Sequence, residues 1–407
     1  MSVKGRTAHH PHRFPITIEF PHVYGRINTS AANGTHPLRR DASGSFALAE
    51  AVTAEVVGLA ADYPTARHRF LQAANAAGAT VTSHHHPERG LDGGELWLDV
   101  AELDPETAEH TVLVTSAVHG VEGYAGSALQ SRWLHELANR AGEPPCCVVV
   151  IHALNPFGFS WVRRVNEDNV DLNRNFVDWS NPPTNDDYRD LAAHLVPDTW
   201  DDATQEATTL ALLARVEEIG FDAMQAAVSS GQYDFADGVF YGGSEPTWSN
   251  RWLHAELEPL LGGASKVTLV DVHTGLGDWG AGELMSDERV GTEAYDRGTA
   301  LWGSINSMHD GESSSAVLSG DWLSALDELA DGVEWTAICV EFGTVDPVTV
   351  TQALRADAWL HAHGDPRSAQ GDAIRAQVRA AFADDDPAWF DKIAARFDEV
   401  IGAINIG

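Results

Sequence analysis

The stretch TVLVTSAVHGVEGYAGSALQSRWLHELANR, Thr111–Arg140, contains a short β-branched run, a polar turn and a helical pattern in succession. Short apolar runs rich in valine and threonine are typical of buried parallel strands. The segment 124–140 repeats its apolar residues at helical spacing and is followed by Ala-Gly, a helix stop signal. The order strand, turn and helix predicts one unit of an α/β sheet.

The same kind of apolar run recurs three times further along the chain. The runs read CCVVVIHAL, KVTLVDV and TAICVEF, at 146–154, 266–272 and 336–342. They predict an α/β fold with a doubly wound, mostly parallel mixed sheet flanked by helices.

The rest of the chain is organised around this sheet. Residues 1–50 show little periodicity, which predicts a loosely ordered N-terminal extension. Residues 51–407 are predicted to form one catalytic domain, with an acidic, partly helical insertion near 180–262. Three consecutive histidines at 84–86 are predicted to lie in a solvated polar loop.

The charge of the chain excludes some classes of partner. A net charge of -34 over 407 residues argues against binding to nucleic acid or to an anionic membrane surface. Such an acid-rich composition suits solubility at high salt, and a GC-rich genome that replaces lysine by arginine is an equal alternative.

The cysteines indicate a reducing compartment. Three cysteines, two of them adjacent in an apolar run, predict neither a disulfide framework nor a cysteine-based zinc site. The first 30 residues lack the apolar core of a signal peptide, and the expected location is cytoplasmic.

Polar residues follow the predicted strands, where open α/β sheets place their active sites. His119 and Glu122 follow the first run, His273 follows the third and Glu341 lies at the end of the fourth. Two histidines and a glutamate are a common ligand set for catalytic zinc, which leaves one position for water. The sequence therefore predicts a metal site at His119, Glu122 and His273, although other divalent ions accept the same ligands. Glu341 is the candidate base for the metal-bound water.

The second run is followed by candidates for the remaining roles. Arg163 and Arg164 are both candidates for stabilising an oxyanion as a carbonyl becomes tetrahedral. Asp171 is outside the ligand set and could orient the free ring nitrogen of a zinc-bound histidine.

Read in chain order from about 110 to 345, the motifs resemble a known family. HGVE, NP followed by RR-x-N, DLNRNF, DVHTG and VEFGT resemble the zinc carboxypeptidases, a family of metallopeptidases that includes carboxypeptidase A. The segment YGGSEPTWSN, 241–250, looks like a bacterial and archaeal branch of that family whose function is unknown. HGVEG with DVHTG is also similar to the succinylglutamate desuccinylase and aspartoacylase branch.

The resemblance implies a metal cofactor and a binding site for a substrate carboxylate. It implies one zinc ion per chain, held by His119, Glu122 and His273. It also implies that Asn173 and Arg174 bind a substrate carboxylate, for which the planar fork of arginine is well suited.

The resemblance implies the catalytic roles as well. By spacing, Arg164 is favoured over Arg163 for polarising the scissile carbonyl, and Arg163 remains a candidate for substrate binding. Glu341 corresponds to the catalytic glutamate, and Asp171 corresponds to the aspartate that supports a zinc histidine.

One departure from the family concerns a tyrosine upstream of the catalytic glutamate. The corresponding segment here, SGDWLSALDELADGVEWTA at 319–337, contains none. Trp322 is a candidate for its place, and Tyr241 could serve from elsewhere in the chain.

Three functions are compatible with these residues. The first is a zinc-dependent, carboxypeptidase-like hydrolase of amide bonds next to a free carboxylate, acting on small peptides. The second is a deacylase of N-acyl amino acids, and the third is a zinc-binding or ligand-binding module without catalysis. An extended peptide groove would favour the first, and a closed pocket would favour the second.

Overall fold

Eight strands pair into one mixed sheet in a computed structural model that describes residues 58–103, 109–140, 144–311 and 313–404. The strands are β1 (Thr80–Arg89), β2 (Glu95–Leu103), β3 (His110–Ser116), β4 (Cys147–His152), β5 (Lys266–Gly275), β6 (Gly282–Ser286), β7 (Asn306–Ser307) and β8 (Glu334–Gly343). Their order across the sheet is β1–β2–β4–β3–β5–β8–β6–β7.

The central strands β4, β3, β5 and β8 run parallel to one another. On one side β1 and β2 are antiparallel additions, and on the other side β6 runs antiparallel to β8. The predicted α/β class with a mixed sheet is confirmed.

Helices cover both faces of this sheet. They are α1 (Tyr63–Ala76), α2 (Gly123–Ala138), α3 (Pro156–Trp161), α4 (Asp186–Arg189), α5 (Ala192–Leu195), α6 (Asp202–Ile219), α7 (Phe221–Ser229), α8 (Trp248–Leu260), α9 (Glu293–Trp302), α10 (Leu326–Leu329), α11 (Pro347–His363), α12 (Ala369–Phe382) and α13 (Pro387–Ala403). Three 3₁₀ turns also occur, at Gly120–Glu122, Leu172–Arg174 and Trp322–Ala325.

Side chains of each central strand alternate between two apolar clusters. Val112 and Val114 of β3 belong to the cluster that contains Phe397 of α13. Leu113 faces the opposite cluster, which contains Leu257 of α8. Because both faces are covered, the central strands are apolar almost throughout, as their sequence pattern predicts.

Capping side chains fix where several helices begin. The Asp62 carboxylate accepts a hydrogen bond from the Thr65 N–H at the start of α1. The Asn155 side chain accepts one from the Gly158 N–H at the start of α3. Each cap satisfies a backbone donor that has no partner inside the helix.

The sequence predictions outside the central sheet had mixed outcomes. Helices α4 to α8 lie inside the region predicted as a partly helical insertion, between residues 186 and 260. The histidines at 84–86 lie in β1, so the prediction of a solvated loop was wrong there. His86 is buried, with its Nε2 atom 3.4 Å from Glu167, whereas His85 is exposed. The pattern misled because β1 is an edge strand with a polar sequence, a proline and a bulge near its end.

The predicted N-terminal extension, residues 1–50, lies outside the described residues. Within the described segments no helix is both long and apolar enough to span a lipid bilayer.

Gly120 allows the turn after β3 to approach the segment after β4. Its N–H donates to the Arg164 carbonyl at 3.0 Å. A Cβ added at this position would clash with backbone atoms of Gly158 and Phe159, which cannot move away as a flexible side chain could. The glycine is therefore required by a close contact between two backbone segments.

We predict that Gly120→Ala destabilises the fold. Overpacking of two backbone segments should lower the free energy of unfolding by about 3 kcal/mol, measured by urea denaturation. Gly402→Ala is a matched control, because Gly402 lies in α13 with open space around its Cα. The control should be neutral or stabilising by about 0.5 kcal/mol, and equal effects of the two substitutions would contradict the close-contact explanation.

Candidate metal centre and active site

The turn after β3 brings His119 and Glu122 together. Glu122 follows His119 by one 3₁₀ turn, and its Oε1 atom lies 2.9 Å from the His119 Nδ1 atom. The main chain of this turn is pinned to Arg164 through the Gly120 N–H. Both side chains are almost completely buried.

The end of β5 adds His273 to this pair. Its Nδ1 atom lies 2.9 Å from Glu122 Oε2 and 3.1 Å from His119 Nδ1. The three ligating atoms lie within 4.8 Å of one another. His119, Glu122 and His273 therefore form a group that could hold a metal ion, as the sequence predicts.

Two buried aspartates orient the two histidines. Asp171 Oδ1 lies 3.1 Å from the His119 Nε2 atom, and Asp271 Oδ2 lies 2.7 Å from the His273 Nε2 atom. Carboxylates in these positions favour the tautomer that carries its proton on Nε2, which leaves the lone pair of Nδ1 for a cation.

Sequence reasoning missed Asp271. It also accepts hydrogen bonds from Thr115 Oγ1 at 2.6 Å and from Trp322 Nε1 at 2.7 Å. The available signal was the D-x-H pattern, since residues i and i+2 of a strand face the same side.

The donor set fits a divalent cation. With both Nε2 atoms protonated, two ring lone pairs and the Glu122 carboxylate face one another with no donor between them. Burial lowers the pKa of His273, but Asp271 and Glu122 outweigh burial and hold that pKa well above its ordinary value. A positive charge is thus favoured at this point, and zinc is the ion that commonly takes two histidines and a carboxylate.

Arg164 and Arg163 point to different surroundings. Arg164 lines the cavity at the metal group, where it donates from Nη1 to Glu122 and from Nε to Asp171, each at 3.0 Å. Arg163 is buried away from the cavity, and its Nε atom donates to Asp357 at 2.9 Å. The candidacy of Arg163 for substrate binding is therefore corrected, because its guanidinium group is held in a buried ion pair.

Asn173 and Arg174 also line the cavity. The Arg174 side chain donates from Nε to the Ser229 carbonyl at 2.9 Å and from Nη1 to the Asn173 carbonyl at 2.9 Å. Part of its hydrogen-bonding capacity is therefore already used by the protein. The Asn173 Oδ1 atom is buried without a hydrogen-bond partner, and it is available to a donor of a ligand.

Phe240 lies between the two arginines of the cavity. The guanidinium carbons of Arg164 and Arg174 lie 5.6 Å and 5.4 Å from the centre of its ring. Its φ of 54° is rare for a bulky side chain, and such outliers cluster at functional sites.

Glu341 is a buried carboxylate at the end of β8. It pairs in register with His273, and its Oε1 atom accepts a hydrogen bond from the Leu276 N–H at 2.8 Å. Burial, together with the charge of Glu122, raises the pKa of Glu341 to about 8. A cation at the neighbouring metal group would lower this value by favouring the carboxylate.

Neither candidate for the family tyrosine lies in the cavity. Trp322 is fully buried and donates to Asp271, so it supports the His273 side of the centre. Tyr241 is largely buried, and its carbonyl accepts from the Asp171 N–H. In the described part of the chain no tyrosine lines the cavity.

Asp321 is a second buried acid that lines the cavity. It caps the turn Trp322–Ala325, where it accepts a hydrogen bond from the Leu323 N–H at 3.3 Å. Burial, together with the charge of Asp287, raises the pKa of Asp321 to about 7. This carboxyl group is therefore partly protonated near neutral pH.

A comparison with known families gives one match. Residues 59–396 match the sequence profile of a family described as "Protein of unknown function (DUF2817)". A search of curated proteins found no match.

Three crystal structures of other proteins are similar to this fold. Carboxypeptidase A from Helicoverpa armigera is 12% identical, with a TM-score of 0.44 over 80% of this chain and 75% of that chain. An aspartoacylase family protein from Mesorhizobium loti is 16% identical, with a TM-score of 0.36 over 70% of this chain and 66% of that chain. A succinylglutamate desuccinylase from a Silicibacter species is 16% identical, with a TM-score of 0.34 over the same shares, 70% and 66%. The match spans just under two thirds of each of the last two proteins, and the similarity is one of fold.

We predict that Asp271→Asn weakens metal binding. Thr115, His273 and Trp322 all direct donors at the Asp271 carboxylate. The amide would place an N–H group against one of these donors, and the His273 ring would lose the partner that orients it. The dissociation constant for zinc should rise roughly 10–100-fold, measured by competition with a chromophoric chelator. Asp372→Asn is the control, since Asp372 lies exposed on α12. Unchanged zinc affinity in Asp271→Asn would show that this carboxylate does not support the metal centre.

We predict that Asp321→Asn changes how stability depends on pH. A carboxyl group whose folded-state pKa lies above its unfolded value of about 3.9 takes up a proton on folding. Its contribution to stability is complete below pH 4 and is lost as the pH rises to about 7. Relative to wild type, Asp321→Asn should therefore gain on the order of 2 kcal/mol in unfolding free energy at pH 8 and little at pH 4, by urea denaturation. An equal gain at both pH values would contradict the raised pKa.

Proposed function

The chain belongs to the DUF2817 family, and from its own site we propose that it is a metal-dependent hydrolase of an amide bond next to a free carboxylate. The observation that carries the proposal is that four chemical groups meet at one cavity. Two members of the candidate metal group, His119 and His273, line this cavity, and Glu122 lies beside them. A buried carboxylate, a guanidinium group and an amide acceptor line the same space, from Glu341, Arg164 and Asn173.

His119, Glu122 and His273 would hold the metal ion, which we propose to be one zinc ion per chain. When bound, such an ion acidifies water and polarises a carbonyl group. The hydrogen bonds from Asp171 and Asp271 would hold both histidine rings in the ligating orientation.

Glu341 would be the general base and then the general acid. One of its carboxylate oxygens accepts from the Leu276 N–H, and the other has no hydrogen-bond partner among the described residues. That second oxygen would take a proton from the attacking water and return it to the leaving nitrogen. The C–N bond breaks, the acyl carbon gains the hydroxyl group of water, and the products are a carboxylic acid and an amine.

Arg164 would stabilise the developing oxyanion. Its guanidinium group is held in place by Glu122 and Asp171, so a donor is oriented before the substrate arrives. Asn173 and Arg174 would bind the substrate carboxylate with the donors that remain free. The partner is therefore a small peptide or an N-acyl amino acid.

The second candidate function is deacylation of N-acyl amino acids. The observation that favours it is the shape of the site, since the cavity of about 230 Å³ lies between the sheet edge and helices α6, α7 and α11. A cavity walled in this way suits a small molecule better than an extended peptide. A binding module without catalysis is disfavoured because Glu341 and Arg164 have the burial and contacts that catalysis needs.

We predict that Glu341→Gln abolishes hydrolysis without loss of metal. Removal of the base should lower kcat by at least about 100-fold, since proton transfer by a positioned group typically contributes that much. The assay would follow amine release from a panel of dipeptides and N-acyl amino acids, and zinc content would be measured by elemental analysis.

Glu283→Gln is the matched control for this experiment. Glu283 lies opposite Glu341 on the neighbouring strand β6 but does not line the cavity. It should retain wild-type activity. A Glu341→Gln protein that hydrolyses the same substrate at the wild-type rate would overturn the assignment of the base.

A further inference from the structure

The cavity extends from the metal group into an apolar chamber built by the insertion helices. On α7 the lining residues are spaced i, i+3, i+4, i+7 and i+8, which defines one continuous helix face. These residues are Phe221, Met224, Gln225, Val228 and Ser229. A whole helix face thus lines the cavity, and its Met224 and Val228 belong to the buried apolar cluster around it.

The direction of α7 shows how the chamber is placed. Its last residue, Ser229, gives its carbonyl to Arg174, which is 3.8 Å from Asp171 at the metal centre. Its first residue, Phe221, is 53% exposed. From 221 to 228 the helix rises about 10 Å, which exceeds the reach of a leucine or phenylalanine side chain. The chamber therefore runs from the metal centre towards solvent over more than one side-chain length.

Two further helices complete the apolar walls. Leu212, Leu213 and Val216 of α6 line the chamber at helical spacing, and Val348 and Leu354 belong to the wall formed by α11. Val348 is 52% exposed at the start of α11. With Phe221, Val348 places a second largely exposed apolar side chain on the chamber wall, where an apolar group of a ligand would cover it.

Several polar side chains of these helices already have hydrogen-bond partners within the protein. The Gln225 amide donates to the Ser314 carbonyl at 2.9 Å. The Gln352 amide donates to Thr209 Oγ1 at 2.6 Å, and Arg355 donates to the same oxygen at 3.2 Å. A peptide main chain in this chamber would bury N–H and C=O groups without partners, which is costly. A hydrocarbon chain has no such groups.

We infer that the chamber binds a linear aliphatic chain, and that the substrates are N-acyl amino acids with acyl chains of medium length. This inference rests on the proposed function, because it names the substrate class of the same site. The amino-acid carboxylate would lie near Asn173 and Arg174, the amide near the metal group, and the acyl chain along α7.

The first test separates chain binding from hydrolysis. Zinc-loaded Glu341→Gln protein is titrated by calorimetry with N-acetyl, N-octanoyl and N-dodecanoyl derivatives of L-alanine, L-glutamate and L-phenylalanine, and with dipeptides that end in phenylalanine. Because each buried methylene contributes favourably, the octanoyl compounds should bind at least about tenfold more tightly than the acetyl compounds. Equal affinity of acetyl and octanoyl compounds, or tighter binding of the dipeptides, would overturn the inference.

The wild-type enzyme distinguishes this failure from a failure of the proposed function. Hydrolysis of acetyl and octanoyl compounds at equal kcat/KM would support the proposed hydrolase function but contradict binding of the acyl chain in the chamber. Tight binding of octanoyl compounds without hydrolysis of any compound would support the chamber and reject the function.

Chamber-filling variants on α6 localise the effect. Leu213→Trp and Val216→Trp place a large ring in the chamber from positions that are only partly buried, so folding should tolerate both. Each should weaken octanoyl binding at least about tenfold and leave acetyl binding and zinc content unchanged. Leu210→Trp is the matched control on the same helix, since Leu210 is 58% exposed and does not line the cavity. If all three variants bind octanoyl compounds as tightly as the protein without these substitutions, the acyl chain does not occupy this chamber.

Discussion

Two buried aspartates hold the candidate metal centre from opposite sides. Asp171 and Asp271 each accept a hydrogen bond from the Nε2 atom of one histidine, and both Nδ1 atoms therefore face the same point. Two more carboxylates and two guanidinium groups lie around this point, from Glu122, Glu341, Arg164 and Arg174. A bound divalent cation would offset part of this buried negative charge. Without such compensation, buried charge of one sign costs several kcal/mol.

The ladder of the central sheet fixes most of this arrangement. His273 of β5 lies opposite Glu341 of β8, and Thr115 of β3 lies opposite Asp271. The spacing between His273, Glu341 and Asp271 is therefore set by backbone hydrogen bonds and not by loop conformation. Groups placed on regular elements in this way are held more rigidly than groups on loops. The turn that carries His119 and Glu122 gains similar rigidity from its contact with the segment after β4.

Arg174 joins this rigid edge to the insertion. It lies beside Asp171 and donates to the Ser229 carbonyl at the end of α7, where a cation also complements the helix dipole. The wall of the apolar chamber is thereby attached to the candidate metal centre. In the proposed binding mode the carboxylate and the aliphatic chain would both lie next to Arg174, and Phe240 packs against that residue.

The sequence alone determined the α/β class and the residues at the strand ends, because both depend on short-range patterns. A β-branched run followed by H-x-x-E, or by D-x-H, can be read locally. Only the tertiary structure showed that Arg163 is held in a buried ion pair with Asp357, and that Trp322 donates to Asp271 and does not line the cavity. It also decided that α6 and α7 enclose a chamber. These outcomes depend on contacts between residues far apart in the chain, whose geometry is fixed by loop paths that no local periodicity encodes.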